Sequence, residues 1–255
     1  VTTKIEWVQN PDGTQGKTWN PITGCTKISL GCRYCYAERM AKRLAGRYGY
    51  PKDNPFRVTL HPDRLDLPIN WKKPLMIFLC SMSDFFHEDV PKDYIFQIIN
   101  IIKQCPQHIF QILTKRSNRM LKISQHIKQW PSNAWLGVTV EAKKYRERIN
   151  HLKQVNATIK FLSCEPLLED LGEFEFDGIN WVIVGGESGP KSRPMSPEWV
   201  THIRDQCLTK NVPYFFKQWG GKNKKANGRK LEGKEWSQIP IIPSSSEDKQ
   251  MELVL

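Results

Sequence analysis

Between residues 57 and 220, short apolar, β-branched or aromatic runs alternate with longer amphipathic, charged runs. This alternation is the pattern of repeated β-α units. The short runs predict strands at 58–60 (the weakest), 75–80, 108–113, 134–140, 159–163, 181–184 and 214–217. Most are nearly continuous apolar runs, as expected for parallel strands covered on both faces. The intervening runs predict helices over 92–103, 117–128, 142–154 and 197–209. The last opens on Ser196 as N-cap with Pro197 at the first helical position. The expected fold is therefore α/β, a partial or full (β/α) barrel of parallel strands, in one domain over residues 1–240. A length of 255 residues suits one such barrel. Several strands end in polar clusters: Ser81 to Asp84, Thr114 to Arg116, Glu141, Glu165 with Pro166, Gly185 to Ser188, and Lys217 to Trp219. In a parallel barrel these clusters converge on one mouth, where active sites are built. Beyond Gly221 the chain turns basic and then rich in Pro and Ser, so residues 241–255 are expected to form a flexible tail.

Composition narrows the class. Hydrophobic residues at 39% and aromatics at 11% exclude a disordered chain. No stretch approaches the roughly 20 apolar residues of a membrane span. The first residues, Val1 to Glu6, have no signal-peptide layout, so a cytoplasmic protein without membrane contact is expected. The 38 Lys and Arg against 26 Asp and Glu give a net charge of +12. That balance favours nucleic acid or a phosphorylated nucleotide as partner, the alternative being a generally basic surface. Seven cysteines, an odd number, make no disulfide ladder and turn attention to metal binding.

Three of them, Cys25, Cys32 and Cys35, fall within eleven residues as C-x6-C-x2-C, beside Gly24 and Gly31 and directly before a helix-like run over 37–48. Three soft thiolates this close can hold three irons of a cubane cluster and leave the fourth open. Zinc competes, because C-x2-C is also a zinc knuckle, but a closed zinc site needs a fourth ligand. The next cysteine is Cys80 and the first histidine His61, so that ligand would have to come from the fold. Burial as small hydrophobes suits Cys105 and Cys207, and Cys80 and Cys164 as alternatives.

Within the loop of residues 18–38, Cys32-Arg33-Tyr34-Cys35-Tyr36 resembles the second half of the cluster loop of radical S-adenosylmethionine enzymes, in which an aromatic residue precedes the third cysteine. More closely, the run from Trp19 to Cys25 continued by Cys32 to Met40 resembles a phage-associated family with this wider cysteine spacing. Ser81 to His87, Leu113 to Arg116, Glu165 to Leu167 and Gly185 to Gly189 match that family as well. Two departures stand out. Six residues separate the first two cysteines where the usual radical S-adenosylmethionine loop has three, and Gly185-Gly186-Glu187 follows a late strand, whereas the Gly-Gly-Glu that binds the methionine amino group in those enzymes follows the second.

The resemblance implies a [4Fe–4S] cluster on Cys25, Cys32 and Cys35, with S-adenosyl-L-methionine cleaved reductively to a 5′-deoxyadenosyl radical that modifies or repairs a nucleotide or nucleic acid. An electron donor such as flavodoxin or ferredoxin is then implied. Ser81, Ser83 and Asp84 are candidates for the methionine moiety, and Thr139 and Glu141 for the ribose. Glu165 and Glu187 are candidate catalytic carboxylates, and Cys164 a candidate hydrogen-atom donor. Lys115, Arg116 and Lys217 would meet phosphate, with Trp219 stacking on a base. Two other functions remain open: a non-catalytic iron–sulfur or zinc nucleic-acid-binding protein, and a phage-associated enzyme acting on a small metabolite.

Overall fold

The computed structural model describes residues 2–10 and 12–241. The expected tail therefore lies, apart from Ile241, outside the described residues. Seven strands form one sheet: β1 (Lys17–Trp19), β2 (Met76–Leu79), β3 (Ile109–Thr114), β4 (Ala134–Thr139), β5 (Ile159–Cys164), β6 (Trp181–Gly185) and β7 (Tyr214–Gln218). Their order across the sheet is their order along the chain, and every neighbouring pair is parallel. The sheet curls into a half-barrel, and β1 and β7 do not pair with one another among the described residues. The expected parallel barrel is thus the partial, open form.

One expected strand is misplaced. Thr59–Leu60 pairs antiparallel with Ile22–Thr23 in a small separate ribbon, and the first strand of the main sheet is Lys17–Trp19. The three residues of β1 carry one large apolar side chain, Trp19, too little for hydrophobic patterning to detect.

Helices α1 (Tyr36–Arg43), α2 (Lys92–Gln104), α3 (Ser117–Ser124), α4 (Glu147–Lys153) and α5 (Pro197–Thr209) connect these strands. α2 turns Ile95, Ile98, Ile99 and Ile102 into the core, at 0–3% exposure. Each such side chain contributes roughly 1.5–3 kcal/mol by burial. α3 stops four residues short of expectation. The Ser124 hydroxyl donates to the Met120 carbonyl (2.8 Å) and accepts from Trp130 Nε1 (3.0 Å), an alternative to continuing the helix. α4 starts late because Lys143–Tyr145 form a tighter turn. Ser196 has the extended backbone of an N-cap, but its hydroxyl donates to Glu198 and makes no cap to the helix.

Two apolar layers follow from the two-residue alternation of a strand. Leu136, Val138, Leu162, Cys164, Val182, Val184, Tyr214 and Phe216 join the layer shared with the helices. Trp135, Ile159, Phe161, Trp181, Ile183 and Phe215 form the concave layer. The N-terminal segment fills this concavity. Trp7, 2% exposed, packs edge-on against Phe78 (4.8 Å between ring centroids) and Trp181 (6.1 Å). Gly137 faces the same side, where a side chain would have to occupy the position of the Phe161 ring, 2.4 Å from an added Cβ.

Candidate metal centre and cavity

A cavity of about 490 Å³ opens at the C-terminal ends of the strands. This is within the ordinary range for a small-molecule site. Its floor includes Lys4 to Trp7, and its walls include Cys25, Cys32 and Cys35 together with Ser81, Ser83, Asp84, Lys115, Arg116, Thr139, Glu165, Glu187 and Lys217. Every strand-end cluster named above except Glu141 contributes a side chain to this one space. The three cysteines are half-exposed with free thiols, whereas Cys80, Cys105, Cys164 and Cys207 are buried.

The cysteine loop hangs across the mouth from many bolts. Gly24, at φ 82°, turns the chain into Cys25, and an added Cβ there would meet the Arg57 carbonyl at 2.1 Å. Such a turn is open to glycine alone. The Gly24 amide donates to the Met82 carbonyl (3.0 Å), and the Ser83 hydroxyl donates to the Gly24 carbonyl (2.6 Å). Thr23 Oγ1 meets His61 Nε2 at 2.8 Å, and Thr26 Oγ1 meets His87 Nε2 at 2.9 Å. Farther along, the Leu30 amide donates to the Tyr145 hydroxyl (2.9 Å) and the Gly31 amide to Glu141 (3.2 Å).

Arg116 is the main anchor. Its side chain is 3% exposed and donates from Nε to Glu88 (2.6 Å) and from Nη1 to Asp84 (3.4 Å) and Cys25 Sγ (3.4 Å). From Nη2 it donates to the Thr26 carbonyl (3.2 Å) and hydroxyl (2.8 Å). Asp84 in turn accepts from the Thr114 hydroxyl (2.7 Å) and from the Lys115 (3.0 Å) and Phe86 (3.0 Å) amides. Its acceptor positions are filled from within the protein. Burial and the Asp84 charge push the Cys25 thiol up to about 11, against the opposing pull of Arg116. Burial also pushes Cys32 up, but Lys115, the Ser29 hydroxyl and backbone amides outweigh it and leave that thiol below its ordinary value.

Elsewhere on the walls, Lys115 Nζ donates to Thr139 Oγ1 (3.4 Å) and Lys217 Nζ to Glu165 (2.5 Å). Glu187 is gripped by Arg193 through Nε (2.9 Å) and Nη2 (2.6 Å). Although burial opposes it, these bonds hold the Glu187 carboxyl below the usual carboxylate range. Arg193 also donates to the Leu30 carbonyl (3.0 Å) and lies over the Tyr34 ring, so Glu187 acts on the cysteine loop through it.

Three expected site residues are placed away from the cavity. Cys164 is an even-numbered position of β5 and faces the helices beside Val184 and Tyr214, because alternate side chains of a strand point to opposite faces. Burial raises its thiol well above its ordinary value. Glu141, 0% exposed, is taken up by the Gly31 amide and by Arg148 (2.9 Å). Trp219 donates to the Lys230 carbonyl (2.8 Å) and packs against Phe216. Other cavity residues escaped the sequence reading. Ser163 was legible, since it shares the parity of Phe161 on β5. The N-terminal segment had no sequence signal, nor did Arg193, which is outside the lining and acts through Glu187. Gln218 lines the cavity as well, and its Oε1 is buried without a protein partner.

The donors fit an iron–sulfur cluster with a polar organic cofactor beside it. Three free thiols share the walls of one cavity with the hydroxyl-bearing residues Ser81, Ser83, Thr139 and Ser163. Among the described residues, no three His, Cys, Asp or Glu side chains converge on the position of a single metal ion. A cluster asks for something different, one thiolate on each of three irons.

No curated protein matches this chain. Among solved structures, spore photoproduct lyase complexed with dinucleoside spore photoproduct is similar at 10% identity and a TM-score of 0.43, over 81% of this chain and 64% of that one. A mutant of the same lyase aligns at 9% identity and a TM-score of 0.40, with the same coverage. The chain thus spans 64% of the length of that enzyme. A family model described as "Protein of unknown function (DUF5131)" matches residues 2–240, and the chain belongs to that family.

Proposed function

We propose that the chain is a radical S-adenosylmethionine enzyme acting on a nucleotide or nucleic acid. The observation that carries this reading is that the three closely spaced cysteines are the half-exposed ones of the seven and all line the cavity at the strand ends, where the buried Cys80 is the one other cysteine in the lining. Cys25, Cys32 and Cys35 would hold three irons. A [4Fe–4S] cluster held there with one iron open would supply one electron to the sulfonium of S-adenosylmethionine, breaking its S–C5′ bond to give methionine and a 5′-deoxyadenosyl radical.

The protein's own groups have separate tasks. The Ser81 and Ser83 hydroxyls donate to Asn20 (3.2 Å) and Gly24 (2.6 Å), which leaves their lone pairs to accept from an ammonium. Lys115, beside Thr139, offers a cation to a carboxylate or phosphate, and Thr139 a hydroxyl to a ribose. The Glu165–Lys217 pair, just past the end of β5 and near the end of β7, would orient substrate and move a proton. Trp7 and the concave aromatic layer beneath it close the floor of the cavity against water. The electron would come from a carrier such as flavodoxin or ferredoxin. No helix among the described residues is long and apolar enough to cross a membrane.

The test is anaerobic reconstitution followed by chromatography for 5′-deoxyadenosine with dithionite as reductant. Formation of the nucleoside supports the reading. None from protein carrying a full, reducible cluster would refute it.

A further inference from the structure

Residues 25–48 carry six basic side chains, Lys27, Arg33, Arg39, Lys42, Arg43 and Arg47, and one acid, Glu38. Glu38 is already paired with Lys27 (2.8 Å) and Lys42 (2.9 Å). Arg39 donates to the Ser188 carbonyl and Arg47 to the Arg43 carbonyl. No ion pair to a carboxylate is made by Arg39, Arg43 or Arg47 among the described residues. Five of the nine large hydrophobic residues exposed in the described chain, Ile28, Leu30, Tyr36, Met40 and Tyr48, lie in the same stretch. α1 buries only Ala37 and Ala41, so nearly all of its circumference faces outward.

The two kinds of side chain are interleaved. Arg39 and Arg43 are one helical turn apart, about 6 Å along the axis, a spacing close to that of successive phosphates on a strand. The Arg47 bond to the Arg43 carbonyl continues the row beyond the helix. Tyr36 and Met40 occupy the adjoining stripe, and Tyr48, 74% exposed, is held at φ 52°, a conformation that a bulky side chain rarely adopts. A protein partner would favour an apolar centre depleted of charge with a polar rim. Guanidinium groups alternating with exposed aromatic rings instead match the stacking and phosphate-tracking surface of single-strand binders. Tyr34, Tyr36 and Arg39 also line the cavity, so this face runs into its mouth.

We propose that α1 and the outer side of the cysteine loop form the track for a single-stranded or locally unpaired polynucleotide. One nucleotide enters the cavity, and the phosphates beside it lie along Arg39, Arg43 and Arg47. The proposal rests on the cavity being the catalytic chamber described above. A base taken into an enclosed site must leave its stack, which favours an unpaired strand over a duplex. The phosphate contacts expected at the strand ends then move to this outer row. Arg116 is consumed by Asp84, Glu88 and the cysteine loop, and Lys217 by Glu165.

The test uses the full chain, reconstituted anaerobically, and fluorescence anisotropy with a short fluorescein-labelled DNA strand of mixed sequence, the RNA of the same sequence, and the DNA duplex. Either single strand should bind more tightly than the duplex, and the tighter of the two names the source. For the double variant Arg43→Glu/Arg47→Glu, affinity should fall about tenfold or more, and the log-affinity against log-salt slope should flatten by about 1.4, roughly 0.7 for each of two phosphates. Lys103→Glu/Lys210→Glu, equal in charge change and at the other end of the half-barrel, should stay within about twofold of the parent. Equal losses in the two double variants, or no binding of any probe at low salt, would overturn the proposal. So would unchanged strand affinity in Arg43→Glu/Arg47→Glu with slower reduction by reduced flavodoxin, which would make this face a carrier dock. Iron content and S-adenosylmethionine cleavage are read on the same preparations. A chain that cleaves the cofactor and ignores all three probes sinks the track alone, whereas strand binding without iron sinks the cofactor reading alone.

Discussion

Replacing Arg116 by Met removes the guanidinium that ties the cysteine loop to β2 and β3 while keeping an unbranched apolar stem. Two carboxylates lose their partner, in different settings. Glu88 has a side chain 62% exposed, so its arm is worth no more than about 1 kcal/mol. Asp84 has a side chain 9% exposed. Breaking a buried pair from one side costs about 3–5 kcal/mol. The lower end applies here, because Asp84 keeps the Thr114 hydroxyl and the Lys115 and Phe86 amides. The expected loss is about 3 kcal/mol, or roughly 6–12 °C in Tm for a chain of this size. Thermal melts followed by circular dichroism measure it. Asp84→Asn in the Arg116→Met background should recover part of the loss, since the orphaned charge is then gone. A melt of Arg116→Met within about 2 °C of the parent would refute the reasoning. So would Glu88→Gln costing as much as Arg116→Met, because the buried arm would then not dominate.

Burial holds the His61 imidazole down to about 4 from an ordinary 6.5. The unfolded chain therefore binds the extra proton first, and stability is full above pH 6.5 and lost as pH falls towards 4. At most that is roughly 3 kcal/mol, and His61→Gln should flatten the pH dependence of urea midpoints in that window. Gly24→Ala forces a Cβ against the Arg57 carbonyl at a left-handed position, and the expected readout is loss of cluster absorbance after reconstitution with an otherwise folded far-ultraviolet spectrum. Trp7→Ala empties the concave layer and should cost about 3–5 kcal/mol, read as a lower denaturation midpoint. A midpoint unchanged from the parent would mean that the N-terminal segment does not plug the half-barrel.

Six of the seven sheet strands were legible because each is a run of apolar residues long enough to be buried on both faces, as at Ala134–Thr139 and Trp181–Gly185. β1 was not, because it carries a single large apolar residue and is specified by its register against Ile77 to Leu79. The convergence of Ser81, Lys115, Thr139, Glu165 and Lys217 followed from topology alone, as strand ends in a parallel sheet share one mouth. What polarity could not separate was a group facing the cavity from one bound to a neighbour. Glu141 and Asp84 look like ligands in the sequence, but Glu141 is engaged by the Gly31 amide and Arg148, and Asp84 by Arg116 and its neighbours. The strand period, applied residue by residue, would have separated Ser163 and Glu165 on the concave side from Cys164 on the helix side. Arg193 reaches Glu187 from six residues downstream through a loop without periodicity, and no spacing rule announces it.

The central claim is that Cys25, Cys32 and Cys35 hold a cluster with one iron open to S-adenosylmethionine. Its most direct test is electron paramagnetic resonance of the anaerobically reconstituted, dithionite-reduced chain, recorded with and without the cofactor. A [4Fe–4S]⁺ signal that shifts on addition of S-adenosylmethionine, and that disappears in Cys25→Ala, Cys32→Ala and Cys35→Ala but persists in Cys105→Ala, is the expected result. Stoichiometric zinc with no iron, or a full cluster signal indifferent to the cofactor, would contradict it.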